Sequence, residues 1–129
     1  MTDITIASTQ STPEIHSNWT AGTLHMRGDS YPENSHELFH QVFEWLEQFL
    51  AQHPARPLTL ELHLLYLNTS SVKALMDILD LLESAHQDSK PVTVRWYYDA
   101  RNERVAELAG EFKEDCTFPF DIIASPPQE

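Results

Sequence analysis

Asn68-Thr69-Ser70-Ser71 sets an amide and three hydroxyls in a row. The apolar run Leu65-Tyr66-Leu67 precedes them and an amphipathic run from Val72 follows. A period near two gives way to a period near 3.6, so these residues stand where a strand hands over to a helix. Three chemistries are open there. A side-chain oxygen can cap the free backbone N–H groups of the first turn. The positive end of the helix dipole can hold an anion such as phosphate. One hydroxyl can instead accept a phosphoryl group, which adds roughly −1.5 to −2 charge. Capping is the commonest use of such residues and is worth about 1 kcal/mol, so residue physics alone favours Thr69 as an N-cap. A phosphate on Thr69 would still be tolerated by the helix start and felt by any partner packed on it.

A second constellation is His36-Glu37-Leu38-Phe39-His40, which matches HExxH. On a helix that spacing puts two imidazoles on one face to bind zinc, with the glutamate as general base. It would make the chain a small zinc hydrolase. Against it, Glu37 stands three residues after Asn34, the spacing of a capping box. A third ligand is also needed, and histidines 16, 25, 53, 63 and 86 are scattered. The plainer reading is two surface histidines. Cys116 follows Lys113-Glu114-Asp115, acids that raise a thiol pKa and disfavour a nucleophile. Tyr31, Pro32, Glu33, Asn34 and Ser35 form a polar loop with one aromatic, read either as helix initiation or as contact surface. A plain protein-interaction domain is a third possibility.

Composition narrows the choice. A chain of 129 residues that is 41% hydrophobic suits one domain, 1–129, with one core. The formal charge of −12, from 8 basic and 20 acidic residues, argues against nucleic acid and anionic membrane as partners. Glycine occurs only at 22, 28 and 110, which builds no phosphate loop. Nucleotide binding at the Asn68–Ser71 junction is therefore disfavoured, and cap or phosphate acceptor remain. No cofactor is expected. The single cysteine, the absence of a signal-like start and the lack of a stretch of ~20 apolar residues point to a cytoplasmic protein.

The elements that must position these residues follow from periodicity. Residues 1–10 and 125–129 read as loosely ordered tails, the first with a brief edge strand at Ile4–Ile6. Glu14–Trp19 and Thr23–Arg27 read as a hairpin. Leu38, Phe39, Val42, Phe43, Trp45, Leu46, Phe49 and Leu50 mark a helix over Ser35–Gln52. Leu58–Leu67 is a strand, expected to be buried on both faces as it nears Asn68. A helix at Ser70–His86, a strand at Val92–Tyr98, a helix at Arg101–Phe112 and a strand at Phe118–Ala124 complete an α/β chain. The order is β-β-α-β-α-β-α-β, a mixed β-sheet of about five strands with three main helices.

Asp29-Ser-Tyr-Pro-Glu-Asn-Ser35, Leu65-Tyr-Leu-Asn-Thr-Ser-Ser71, Trp96-Tyr-Tyr-Asp99 and Arg101-Asn-Glu-Arg104 together resemble the SiaC family. These are regulatory phosphoproteins of the bacterial biofilm and cyclic-di-GMP pathway. The resemblance runs from Thr9 to Ile123. It implies a fold similar to the STAS-like anti-sigma factor antagonists, which carry a phosphorylated hydroxyl at a helix start. It further implies a non-catalytic partner switch. A SiaB-like kinase would phosphorylate Thr69, and a SiaA-like PP2C phosphatase would reverse this. The unmodified form would bind and activate a SiaD-like diguanylate cyclase. ATP and metal would then belong to the partner enzymes. Asn68, Ser70 and Ser71 would shape and cap the helix start and contact kinase or partner. The family resemblance thus reverses the preference for a simple cap at Thr69.

Overall fold

The computed structural model describes residues 3–125. The elements are β1 (Thr5–Ile6), β2 (Glu14–Asn18), β3 (Thr23–Ser30), α1 (Ser35–Gln52), β4 (Leu58–Leu67), α2 (Thr69–Gln87), β5 (Val92–Asp99), α3 (Glu103–Lys113) and β6 (Phe120–Ser125). This is the expected α/β architecture with a sixth strand, the two-residue β1. The six strands lie in the sheet in sequence order. β1, β2 and β3 pair antiparallel, and β3, β4, β5 and β6 pair parallel.

Each parallel step is a strand-helix-strand crossover. Crossovers of one hand that all step in one direction along a sheet place their helices on the same face. The burial pattern agrees. Leu58, Leu60, Leu62 and Leu64 of β4 are buried, while Thr59, Glu61 and His63 between them are only half-covered. Onto the covered face α1 packs Phe39, Val42, Trp45, Leu46, Phe49 and Leu50, and α2 packs Leu75, Ile78, Leu79 and Leu82. Burying each of these is worth about 1.5–3 kcal/mol. Gly22 makes the hairpin turn at φ +72°, and a Cβ there would collide with the Pro57 carbonyl.

The structure departs from the sequence reading in several places. The N-terminal segment is tied down where the structure describes it, rather than loose. One Asp3 carboxylate oxygen accepts from the Ser17 hydroxyl (3.0 Å), the Trp19 amide (2.9 Å) and the Trp45 indole (3.1 Å). Ile4 is buried beside them. Of the expected C-terminal tail, Ser125 pairs with Asp99 in the sheet, and 126–129 lie outside the described residues, as do 1 and 2. The end of β4 is not buried on both faces. Its pairing with β5 runs only from Leu58↔Val92 to Leu62↔Trp96, and its register with β3 slips between Gly28 and Ser30. Beyond Leu62 the strand has lost one neighbour, and Leu65 and Tyr66 are 53% and 56% exposed.

Candidate functional site

The strand-to-helix junction is built by Asn68. Its extended backbone (φ −75°, ψ 173°) ends β4, and its side-chain oxygen accepts from the Ser71 amide at 2.9 Å. Asn68, not Thr69, is therefore the N-cap, because only the residue before the first helical turn can reach back to that amide. The Asn68 amide donates to the Ser30 carbonyl at 2.9 Å, which pins the junction to the end of β3.

The three hydroxyls have three different fates. The Ser71 hydroxyl is fully buried and lies 2.8 Å from that of Ser30, also fully buried. Ser70 is exposed, and its hydroxyl donates to the Asn68 side chain at 3.2 Å. Thr69 opens the helix, is exposed, and makes no side-chain hydrogen bond among the described residues. No acid stands in the first turn of α2, so the positive end of the helix dipole there is unmatched. Lys73, one turn further on, is exposed and lines a groove with Ser70, Ser35 and His36.

The 31–35 loop does not act as one surface. Tyr31 is anchored by its amide to the Ser11 carbonyl (2.8 Å), and its ring meets that of Tyr66 edge-on at 5.8 Å. Tyr31 and Tyr66 thus expose apolar surface close to the junction, whereas Leu65 opens onto the opposite sheet face beside His63 and Tyr97. Ser35 faces the α1–α2 groove. Pro32, Glu33 and Asn34 line a separate hollow beside Ile6, Ser11 and Thr12. Asn34 caps α1, accepting from the Glu37 amide at 3.1 Å and donating to the Glu37 carboxylate at 3.3 Å.

That contact occupies the glutamate of the HExxH match. His36 and His40 are 5.9 Å apart ring to ring, and His40 pairs with Glu44 at 3.0 Å. Among the described residues, no three His, Cys, Asp or Glu side chains are grouped to hold a metal ion. Burial, followed by the charges of Glu83, Asp115 and Asp80, pushes the Cys116 thiol up to about 11, so it is no nucleophile at neutral pH. On the sheet face away from the helices, His63 stacks on Tyr97 at 4.7 Å and meets His25 edge-on at 5.1 Å. Burial, then His25 and Arg27, lower its pKa and so favour the neutral ring.

Sequence reasoning missed the Ser30–Ser71 pair and the outward turn of Leu65 and Tyr66. A serine two positions past a glycine carried no mark of its partner 41 residues away. Leu65 and Tyr66 read as core because apolar residues usually are.

The family model for "SiaC family regulatory phosphoprotein" matches residues 6–125. The chain is 67% identical over 124 residues to an uncharacterized protein of Pseudomonas aeruginosa (strain UCBPP-PA14), covering 96% of this chain and 98% of the other. The crystal structure of apo-SiaC from Pseudomonas aeruginosa superposes with a TM-score of 0.91 at 65% identity, over 96% of this chain and 100% of that one. A chain in the crystal structure of diguanylate cyclase SiaD in complex with its activator SiaC, from the same organism, superposes at 0.93 and 67% identity. It covers 95% of this chain and 100% of that one. No helix among the described residues is long and apolar enough to cross a membrane.

Proposed function

Because this chain belongs to the SiaC family of regulatory phosphoproteins, we propose that it is a non-catalytic phospho-switch centred on Thr69. The unmodified form binds and activates a diguanylate cyclase like SiaD, and phosphate on Thr69 turns this off. A SiaB-like kinase adds the phosphate with its own ATP and metal, and a SiaA-like PP2C phosphatase removes it. The setting is the cytoplasm.

The observation that supports this most is the contrast among the three hydroxyls. A kinase needs an accessible hydroxyl, and Thr69 offers one that neither caps the helix nor bonds elsewhere among the described residues. Ser71 is buried and Ser70 is held by Asn68. The exposed Tyr31 and Tyr66 give a partner an apolar surface beside it. A hydrated dianion added at its edge would oppose the desolvation that docking requires.

The deciding experiment treats the full chain with a SiaB-like kinase and maps the phosphate by intact-mass and peptide mass spectrometry. One phosphate on Thr69 is expected. A phosphate on Ser70 or Ser71 would move the site and overturn this assignment.

A further inference from the structure

A second surface lies beyond the switch. α1 and α2 pack together, whereas α2 and α3 make little contact and leave about 240 Å³ of open groove between them. Its floor is apolar: Val72, Met76 and Leu79 on α2 face Leu108 and Phe112 on α3. Met76 is 48% exposed there, a large apolar side chain left uncovered. The rim is acidic on both sides, with exposed Asp80 on α2 and exposed Glu111 and Asp115 on α3. None of these carboxylates is in an ion pair among the described residues, and no Lys or Arg lines the groove.

We infer that this groove docks an amphipathic helix of a partner protein. Its apolar side chains would lie on Met76 and Leu108, and Lys or Arg side chains on its flanks would meet Asp80, Glu111 and Asp115. Helix-in-groove recognition uses such a floor, read by anchors one turn apart. The thioether of Met76 adapts to varied side chains. Carboxylates on both banks select a basic helix and reject an acidic one.

The charge argument also separates this groove from the surface that phosphorylation would close. Thr69, Val72 and Met76 follow one another at i, i+3 and i+7, so they share one stripe of α2. A phosphate on Thr69 would extend the acidic rim. A basic helix would therefore be held at least as tightly by the phosphorylated form, the opposite sign from a partner displaced by phosphate. The inference rests on the groove alone and stands whether or not Thr69 is the switch.

The test titrates the full chain, carrying 13C-methyl methionine, with a synthetic Leu/Lys amphipathic helix about four turns long. Saturable binding of one peptide per chain, with the Met76 methyl resonance shifting, is expected. The triple variant Asp80→Lys, Glu111→Lys, Asp115→Lys should weaken it by roughly tenfold or more. The matched triple Glu14→Lys, Glu44→Lys, Asp121→Lys changes net charge equally elsewhere and should weaken it by less than about threefold. Thr69→Glu should leave the affinity equal or higher. Equal loss in both triples, an unmoved Met76 resonance, or weaker binding by Thr69→Glu would each overturn the proposal.

Discussion

Thr69 and Ser71 are two residues apart, yet one hydroxyl is exposed and the other is buried against that of Ser30. The difference governs what substitution does. Thr69→Asp puts a carboxylate in the first turn of α2, where the helix dipole favours negative charge by about 0.3–1 kcal/mol. Circular dichroism and melting temperature should stay close to wild type while cyclase binding falls. Undiminished binding would sink the switch. Thr69→Ala should keep the binding and lose the phosphorylation. Ser71→Ala is expected to cost stability instead, roughly 1–3 kcal/mol, because it strands the buried Ser30 hydroxyl without a partner. Removing both hydroxyls should cost less than the two single losses added together, since neither then leaves the other unpaired. Urea unfolding of the three variants checks this, and strict additivity would show that the pair is not coupled.

Elements are held in place by a few such ties. Near the far end of α2, Glu83 accepts from the Thr117 amide (2.6 Å), the Thr117 hydroxyl (2.6 Å) and the Gln87 side chain (2.7 Å). This fixes α2 to the loop between α3 and β6. The backbone hydrogen bond from Thr117, followed by its hydroxyl, lowers the Glu83 pKa to about 2 from an ordinary 4.5. The folded state thus binds this proton less readily than the unfolded chain. The contribution is complete above the ordinary value and drains away as pH falls from there toward about 2. Glu83→Gln should therefore flatten the loss of stability across that window. Asp99, lowered to about 2 mainly by its hydrogen bond from the Arg101 side chain, acts with the same sign, so the slope should shrink without vanishing. Urea midpoints followed through the acid range measure it, and an unchanged slope would remove Glu83 from the account.

At the scale of the whole molecule, covering one sheet face with three helices leaves large apolar side chains exposed in a few places among the described residues. Tyr31 and Tyr66 lie near Thr69, Leu65 lies on the open sheet face beside His63 and Tyr97, and Met76 lies in the α2–α3 groove. Aromatic residues in such positions tend to dominate binding energy, at about 2 kcal/mol or more each. Tyr66→Ala or Tyr31→Ala should weaken cyclase binding by roughly tenfold or more. Neither should change folding stability by more than about 0.5 kcal/mol, since neither side chain is buried. Calorimetric titration against the purified cyclase decides this. Wild-type affinity in both variants would place the docking surface elsewhere. The formal charge of −12 adds that a binding partner should present basic groups, with affinity falling as salt rises.

Much of this protein is written locally. The apolar stripe of α1, the alternation of β4 and the proline-bearing stop between them follow from periods of 3.6 and 2 that neighbouring residues impose. Asn34 could be read as a cap from its distance to Glu37, and the Asn68–Ser71 stretch could be read as a helix start because a period near two gives way there to one near 3.6. The sequence also marked the HExxH match and the Asn34–Glu37 cap that opposes it, but not that His40 was engaged by Glu44. Tertiary structure alone decided which hydroxyl of the junction is free. Accessibility depends on what the chain brings alongside, and Ser30 comes from 41 residues away. It likewise decided that Leu65 and Tyr66 face outward, because burial at a strand end depends on whether the next strand reaches that far, and β5 pairing stops at Leu62.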